Sequence, residues 1–143
     1  MYKKILLPTD GSEFAEKAEK HAFFIAEVSD AEIIALSVIE TRFSMGLPAD
    51  DVIFSINQML KKEAETNLET VEKLKEKSNN NVKLTLKVAE GSPASVILET
   101  IENENIDLVV MGSSGKSGFD RLILGSVAEK VVKAAECSVL VVY

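Results

Sequence analysis

The chain has 143 residues, 46% of them hydrophobic, which predicts one compact domain spanning residues 1–143 with a buried core. The net charge of −7, with lysine and arginine residues scattered among acidic ones, argues against nucleic acid as a partner, and no run of about 18 apolar residues indicates a membrane span. The single cysteine, Cys137, cannot form an internal disulfide and no signal-peptide pattern precedes the first strand, so we expect a cytoplasmic protein.

The first predicted strand is the short apolar run from Ile5 to Leu7, which ends at Pro8. A turn over residues 9–12 then leads into a helix. The cap of this helix is expected from Asp10 together with Glu13, or from Ser12 itself, because both choices satisfy the rules for helix starts.

The helix that follows runs to about Val28 and presents a narrow stripe of small residues, which allows close packing on a sheet. His21, the only histidine, lies beside this stripe. It has no ligand or base partner nearby in sequence, so we interpret it as a boundary residue. The stripe consists of Ala15, Ala18, Ala22 and Ile25.

The second predicted strand runs from Glu32 to Val38, and a connection from Glu40 to Asp51 follows it. Connections of about a dozen residues are uncommon unless they cover a ligand or meet a partner, although a tolerated surface insertion is an equally good interpretation. From Asp51 to about Lys77, apolar residues at helical spacing predict a long helix with a core stripe and a Lys/Glu face in solvent. The stripe is Ile53, Ile56, Leu60, Ala64, Leu68, Val71 and Leu74.

The third predicted strand, after a turn at residues 78–81, alternates apolar residues with lysine and threonine, which is typical of an edge strand with one face in solvent. Ser92 and Pro93 fit the cap and first turn of the next helix. The apolar residues of the strand are Val82, Leu84, Leu86 and Val88.

The fourth predicted strand, Leu108 to Met111, is apolar throughout and is therefore expected to be buried on both faces. A last helix, from Ser126 to about Ala135, leads into a fifth strand from Val139 to Val142. Strands and helices alternate along the whole chain, which predicts a parallel α/β sheet with right-handed crossovers. Periodicity alone does not give the strand order.

A glycine-rich loop, Gly112-Ser-Ser-Gly115, leaves the fourth strand, and Gly125-Ser126 opens the last helix. We interpret Ser126 and Glu129 as a capping box, and the helix start behind it suits an anion because its N–H groups are free and its dipole is positive. Together these features predict a phosphate cradle. The glycine spacing matches neither a P-loop nor the G-x-G-x-x-G dinucleotide motif.

The spacing G-x2-G-x9-G-[ST], together with Pro8-Thr9-Asp10 and the length of the chain, closely resembles the ATP-binding branch of the universal stress protein family over essentially the whole sequence. The resemblance implies a Rossmann-like α/β fold, with a five-stranded parallel sheet of order 3-2-1-4-5 and helices on both faces. In that order the first and fourth strands are neighbours at the switch point, so the loops after them would face each other across one crevice.

The resemblance also implies that ATP binds with Mg²⁺ or Mn²⁺ and that particular residues hold it. In these implied roles, Asp10 lies near the ribose and phosphates, Val38 meets the adenine through its backbone, and the last helix start holds the triphosphate. Asp10 and Ser126 equally fit plain helix caps, and Lys116 equally fits a solvated loop charge. Ser114 stands where many family members have His or Arg. The implied binding residues are Pro8, Thr9, Asp10, Val38, Met111, Gly112, Ser113, Gly115, Lys116, Gly125, Ser126, Val127 and Ala128.

The resemblance implies a nucleotide-dependent regulatory homodimer in the stress response, with an unidentified protein partner. The implied order places the fifth strand at an edge, and because it is apolar and has neither Lys nor Pro, we expect it to pair with a second copy. The loops hold no histidine and no second acid beside Asp10, so ATP hydrolysis is expected to be slow at most. The alternatives are a phosphohydrolase that uses the same crevice and a dimeric interaction module that binds no nucleotide, against which the intact glycine pattern argues.

Overall fold

A computed structural model of the chain describes residues 1–40, 50–78, 81–115 and 123–143. Within these ranges the five predicted strands and four predicted helices are all present, with ends that differ by a few residues at most. The strands form one parallel sheet of order β3-β2-β1-β4-β5, which confirms the predicted fold class. The elements are β1 Lys4–Pro8, α1 Glu13–Ser29, β2 Glu32–Ile39, α2 Asp50–Ser78, β3 Leu84–Glu90, α3 Pro93–Asn103, β4 Leu108–Gly112, α4 Ser126–Ala134 and β5 Ser138–Val142.

Helices cover both faces of the sheet, because successive side chains of a strand point to opposite faces. Ile5 and Leu7 of β1 belong to a core that includes buried residues of α1 and α2. Leu6, between them, belongs to a second core with residues of α3 and α4. All three side chains are fully buried, as expected for a central strand of a parallel sheet.

Helix α1 begins with a side-chain cap. The Ser12 hydroxyl accepts a hydrogen bond from the Ala15 N–H at 3.1 Å, so the second of the two predicted capping arrangements is the one present. The small-residue stripe lies against the sheet as predicted, since its alanines are buried and Ile25 is half-buried. His21 is exposed on this helix.

The long helix α2 is buried over only part of its length. Its later apolar residues, Ala64, Leu68 and Val71, are buried, whereas Ile53 and Ile56 are half-buried and Val52, Phe54 and Met59 are exposed. The predicted core stripe is therefore correct for the second half of the helix and incomplete for the first. The predicted connection at 40–51 and the predicted turn at 78–81 fall largely on residues 41–49 and 79–80, which lie outside the described residues.

The two edges of the sheet are β3 and β5, as predicted. In β3 the predicted apolar face is less covered than expected, because Leu86 and Val88 are 38% and 39% exposed. In β5, Val139, Leu140 and Val141 are half-buried, and Val142 is buried. Both edges thus leave apolar side chains partly in contact with solvent.

The first and fourth strands are neighbours at the centre of the sheet, with Ile5 opposite Leu108 and Leu6 opposite Val109. Strands β2 and β3 are added on one side of β1, and the chain then crosses back to add β4 and β5 on the other side. The carboxyl ends of β1 and β4 therefore form the switch point, which is where open α/β sheets have a crevice. Beside them, the Thr9 N–H donates to the Leu36 carbonyl at 2.9 Å and joins the loop after β1 to β2.

A matched pair of serines tests the value of the α1 cap. Ser12→Ala removes the hydroxyl that accepts the Ala15 N–H and is expected to lower the free energy of unfolding by about 1 kcal/mol. Ser92→Ala changes the N-cap of α3, whose side chain makes no capping bond, and should cost less than about 0.5 kcal/mol. Urea unfolding of both variants measures the difference, and equal losses would show that the Ser12 bond has no net value.

Candidate functional site

A cleft of about 730 Å³ opens at the carboxyl ends of β1, β2 and β4. Its volume lies in the range typical of small-molecule sites. Of the thirteen residues predicted to bind nucleotide, eleven line the cleft and Ser113 does not. The remaining one, Lys116, lies outside the described residues. The lining is Pro8, Thr9, Asp10, Ala15, Leu36, Val38, Glu40, Pro93, Ile97, Met111, Gly112, Ser114, Gly115, Ile123, Leu124, Gly125, Ser126, Val127 and Ala128.

The loop after β1 is held in a fixed shape by local hydrogen bonds. The Asp10 carboxylate accepts the Ser12 N–H at 2.9 Å, so it fixes the turn before the helix rather than capping the helix itself. Gly11 has a φ of +76°, in the left-handed region, and a side chain there would meet Asn67 of α2. The turn therefore needs glycine both for its backbone and for its contact with α2.

Two glycines, at the end of β4 and in the loop after it, make close contacts. A Cβ added to Gly112, the last residue of β4, would lie 2.8 Å from the carbonyl carbon of Phe14, in the first turn of α1. A Cβ added to Gly115 would lie 2.8 Å from the Asp10 carboxylate. Both distances are shorter than real Cβ contacts, so Gly112 must lack a side chain for β4 to lie against α1, whereas at Gly115 the Asp10 side chain could move aside.

The start of α4 differs from the predicted capping box. Gly125, not Ser126, is the N-cap, and Ser126 is the first helical residue. The Glu129 carboxylate accepts from Lys133 at 2.7 Å, one turn further along the helix. Helix geometry leaves the N–H groups of Ser126, Val127 and Ala128 without intrahelical acceptors, and a glycine cap has no side chain to satisfy them. These groups lie at the cleft, at the positive end of the helix dipole.

Ser113 supports the cleft from behind. It is 1% exposed, its N–H donates to the Val142 carbonyl at 2.8 Å, and its own carbonyl accepts the Gly125 N–H at 2.7 Å. The glycine-rich loop is thus joined on one side to β5 and on the other to the start of α4. Ser113 connects these three elements through its backbone.

One wall of the cleft is apolar and continues into the core beneath α3 and α4. Leu36, Pro93 and Ile97 belong to this wall, and the predicted site did not include them. Their place depends on β2 lying beside β1 and on α3 crossing that face of the sheet, which no local pattern reveals. Val38, Met111 and Ala128 complete the wall.

A buried acidic residue that was not predicted contacts Thr9, the neighbour of Asp10, from helix α1. Glu19 of α1 is only 2% exposed, and its carboxyl group accepts the Thr9 hydroxyl at 3.0 Å. Burial raises the pKa of Glu19 above its ordinary value, and Glu16 and Asp10 add to the rise, while the Thr9 hydrogen bond and Lys20 oppose it. The sequence held a signal for this position, because Glu19 lies four residues after Ala15 on the buried side of the helix.

Other reactive side chains lie away from this cleft. Cys137 precedes β5 and does not line the cleft. Burial raises the pKa of its thiol, which disfavours the nucleophilic thiolate.

Among the described residues, no three His, Cys, Asp or Glu side chains form a group that could hold a metal ion. Within the same residues, none of the helices combines the length and apolar character required to cross a bilayer.

Comparison with known proteins gives concordant matches. A sequence model of the universal stress protein family matches residues 1–143. Universal stress protein MJ0531 of Methanocaldococcus jannaschii is 45% identical over 142 residues, which are 99% of this chain and 82% of the relative.

Solved structures resemble the whole chain. That of hypothetical protein MJ0577, from the same archaeon, has a TM-score of 0.85 and 36% identity and covers 99% of this chain and 96% of its own. A universal stress protein in complex with cAMP has a TM-score of 0.75 and 24% identity, over 99% of this chain and 97% of that one.

The glycine contacts predict different costs for two alanine substitutions. In Gly112→Ala the new methyl group meets the backbone of Phe14, so α1 or the loop must shift, and we expect a loss of about 1–3 kcal/mol of unfolding free energy. In Gly115→Ala only the end of the Asp10 side chain must move, and the loss should be under about 1 kcal/mol. Denaturant unfolding measures both, and a larger loss for Gly115→Ala would contradict the described packing.

Proposed function

The chain belongs to the universal stress protein family, and from this premise and the geometry of its cleft we propose that it is an ATP-binding regulatory protein that acts as a homodimer. The observation that carries the proposal is the convergence of two glycine-containing loops on a helix start whose N–H groups have no side-chain cap. The domain proposed to do this is the whole span 1–143, and the cytoplasm fits a chain with one free cysteine.

The phosphates fit the glycine side of the cleft. Three N–H groups at the start of α4, beside a loop that a Cβ at Gly112 or Gly115 would obstruct, form a cradle suited to an anion. The chain carries a net charge of −7, so backbone donors and a helix dipole are a more suitable phosphate site here than a cluster of cationic side chains. Gly112, Gly115, Gly125, Ser126, Val127 and Ala128 are the residues proposed to hold the phosphates.

The adenine fits the opposite, apolar wall. Leu36 and Val38 of β2 and Ile97 of α3 line an apolar part of the cleft. A purine ring buried there would lose its unfavourable exposure to water, while backbone groups at Val38 could meet its polar edge. A related fold is described in complex with cAMP, and for this chain the proposal depends on its own cleft.

The metal would enter with the triphosphate. Magnesium keeps several of its water ligands and binds through phosphate oxygens and one or two carboxylates, so it does not require a cage of side chains. Among the described residues, Asp10 after β1 and Glu40 after β2 are the acidic ones that line the cleft. The described site contains no histidine, and we propose slow hydrolysis at most, with an unidentified protein reading the bound state.

Titration calorimetry with MgATP tests this function, and one substitution at the helix start sharpens it. Ser126→Pro removes an N–H group at the first helical position, where proline is tolerated, and Gly125 already has the extended backbone (φ −61°, ψ 157°) that precedes proline. Losing one charge-assisted hydrogen bond should weaken ATP binding about 10- to 100-fold.

The matched control is Ser126→Ala, which keeps the N–H and loses only the hydroxyl, so its effect should be smaller. Absence of heat at millimolar MgATP with the wild-type protein would contradict the proposed function. Steady-state ATP turnover that falls in Asp10→Ala would favour a phosphohydrolase instead.

The proposed dimer uses the open edge of β5. Backbone groups of successive strand residues point to opposite edges, and the Val142 carbonyl accepts the Ser113 N–H on the β4 side. The N–H and carbonyl of Val141 therefore point to the open edge, where a second copy of β5 could pair with them. The half-buried side chains of Val139 and Val141 would add apolar contact.

Val141→Pro tests the dimer because it removes an outward N–H and leaves the bonds to β4 in place. We expect the wild type to sediment as a dimer at micromolar concentration and Val141→Pro to sediment as a monomer. Val141→Ala keeps the N–H and should remain dimeric. A monomeric wild type, or a Val141→Pro variant that still dimerises, would refute pairing through β5.

A further inference from the structure

A buried carboxyl group lies directly behind the loop proposed to face the phosphates. Glu19 is 2% exposed, Thr9 is 5% exposed, and the Thr9 hydroxyl donates to the Glu19 carboxyl oxygen at 3.0 Å. Thr9 also lines the cleft, whereas Glu19 does not. Thr9 thus lies between the cleft and the carboxyl group of Glu19, which has almost no contact with solvent.

The surroundings of Glu19 disfavour its charged form. Burial is the largest cause, and the carboxylates of Glu16 on the same helix and Asp10 on the facing loop act in the same direction. The hydrogen bond from the Thr9 hydroxyl, which is second to burial in size, and the ammonium group of Lys20 oppose this rise. The pKa of Glu19 is consequently raised above the ordinary value of a glutamate.

The hydrogen bond between the two side chains can run in either direction. An ionised carboxylate only accepts, so it takes the single hydroxyl proton of Thr9. A neutral carboxylic acid carries a proton of its own and can donate it to the Thr9 oxygen. The threonine proton is then free to be donated to an acceptor in the cleft.

We propose that Glu19 and Thr9 form a proton-linked pair, in which protonation of Glu19 reverses their hydrogen bond and turns the Thr9 hydroxyl proton toward a phosphate oxygen of the ligand. Glu19 is thus a positioning residue that acts through Thr9 and does not touch the ligand. The ligand part of this inference rests on the proposed function, whereas the pairing of the two side chains does not.

The direction of the pH effect follows from charge and from linkage. A phosphate in the cleft repels an ionised Glu19, and it accepts a hydrogen bond from the Thr9 hydroxyl only when Glu19 is neutral. Ligand binding therefore favours protonation of Glu19. By reciprocity, the affinity falls as the pH rises through the titration of Glu19, by at most about tenfold per pH unit for one proton.

The free protein provides the first test. The Gly11 N–H donates to the Thr9 hydroxyl oxygen at 3.4 Å, so its NMR signal should report a reversal of the Thr9 bond. As the pH is raised through and above the ordinary pKa range of a glutamate, we expect the Gly11 amide shift to follow the carboxyl shift of Glu19 in the wild type. The response should vanish in Glu19→Gln. Glu16→Gln, an exposed acid on the same helix, is the matched control and should keep it.

Calorimetric titration with MgATP over the same pH range provides the second test. The protonation of ATP itself is common to all variants and cancels in the comparison. The wild type and Glu16→Gln should lose affinity with rising pH more steeply than Glu19→Gln. Thr9→Val, which lacks the hydroxyl but keeps the charge of Glu19, should be shallower than the wild type, and Thr9→Ser should regain the steep profile. The Thr9 variants decide the question if Glu19→Gln does not fold.

Identical pH profiles for the wild type, Glu19→Gln and Thr9→Val would overturn the inference while leaving ATP binding intact. If the wild type binds no ATP, the proposed function fails and the ligand part of the inference fails with it. The NMR titration still decides the pair in that case, because a Gly11 response that persists in Glu19→Gln would refute it.

Discussion

The candidate site depends on the pairing of β1 with β4 at the centre of the sheet. Because both strands point the same way, their following loops emerge side by side, and Gly112 can lie directly against the backbone of Phe14 at the start of α1. That contact leaves no room for a side chain, so glycine is required where the end of β4 meets the start of α1. The apolar wall and the start of α4 line the cleft that opens beyond the paired strands β1 and β4.

Local sequence patterns predicted most of the architecture and part of the site. Buried strands such as Leu108–Met111 were recognisable because an unbroken apolar run has few other interpretations in an alternating α/β chain. The strand order came from the family resemblance, since the pairing of β2 with β3 or β1 is decided by contacts between residues far apart in sequence. For the same reason, Leu36, Pro93 and Ile97 could not be assigned to the cleft in advance.

One local prediction failed, and one buried residue was not predicted at all. Ser126 and Glu129 satisfied the rule for a capping box, but Gly125 is the N-cap, and its backbone N–H bonds to the Ser113 carbonyl, so the cap lies one residue earlier than predicted. Glu19 was assigned neither to the core nor to the site, because acidic side chains are rarely buried. Its burial beside Thr9 follows from the helical spacing of its apolar neighbours, which outweighs the preference of one residue for water.

The glycine N-cap of α4 links the stability of this helix to the number of backbone N–H groups that a ligand can bind. A serine in place of Gly125 would offer a hydroxyl to the N–H groups of the first turn. The gain over glycine is a few tenths of a kcal/mol at most, because the added Cβ would lie only 3.1 Å from the Cα of Ser114. The first N–H groups of α4 therefore remain without a side-chain acceptor at little cost in the free energy of unfolding. Engineering that strengthens this helix end with a capping side chain would introduce an internal competitor for any anion, so thermostability and ligand affinity would change in opposite directions at this position.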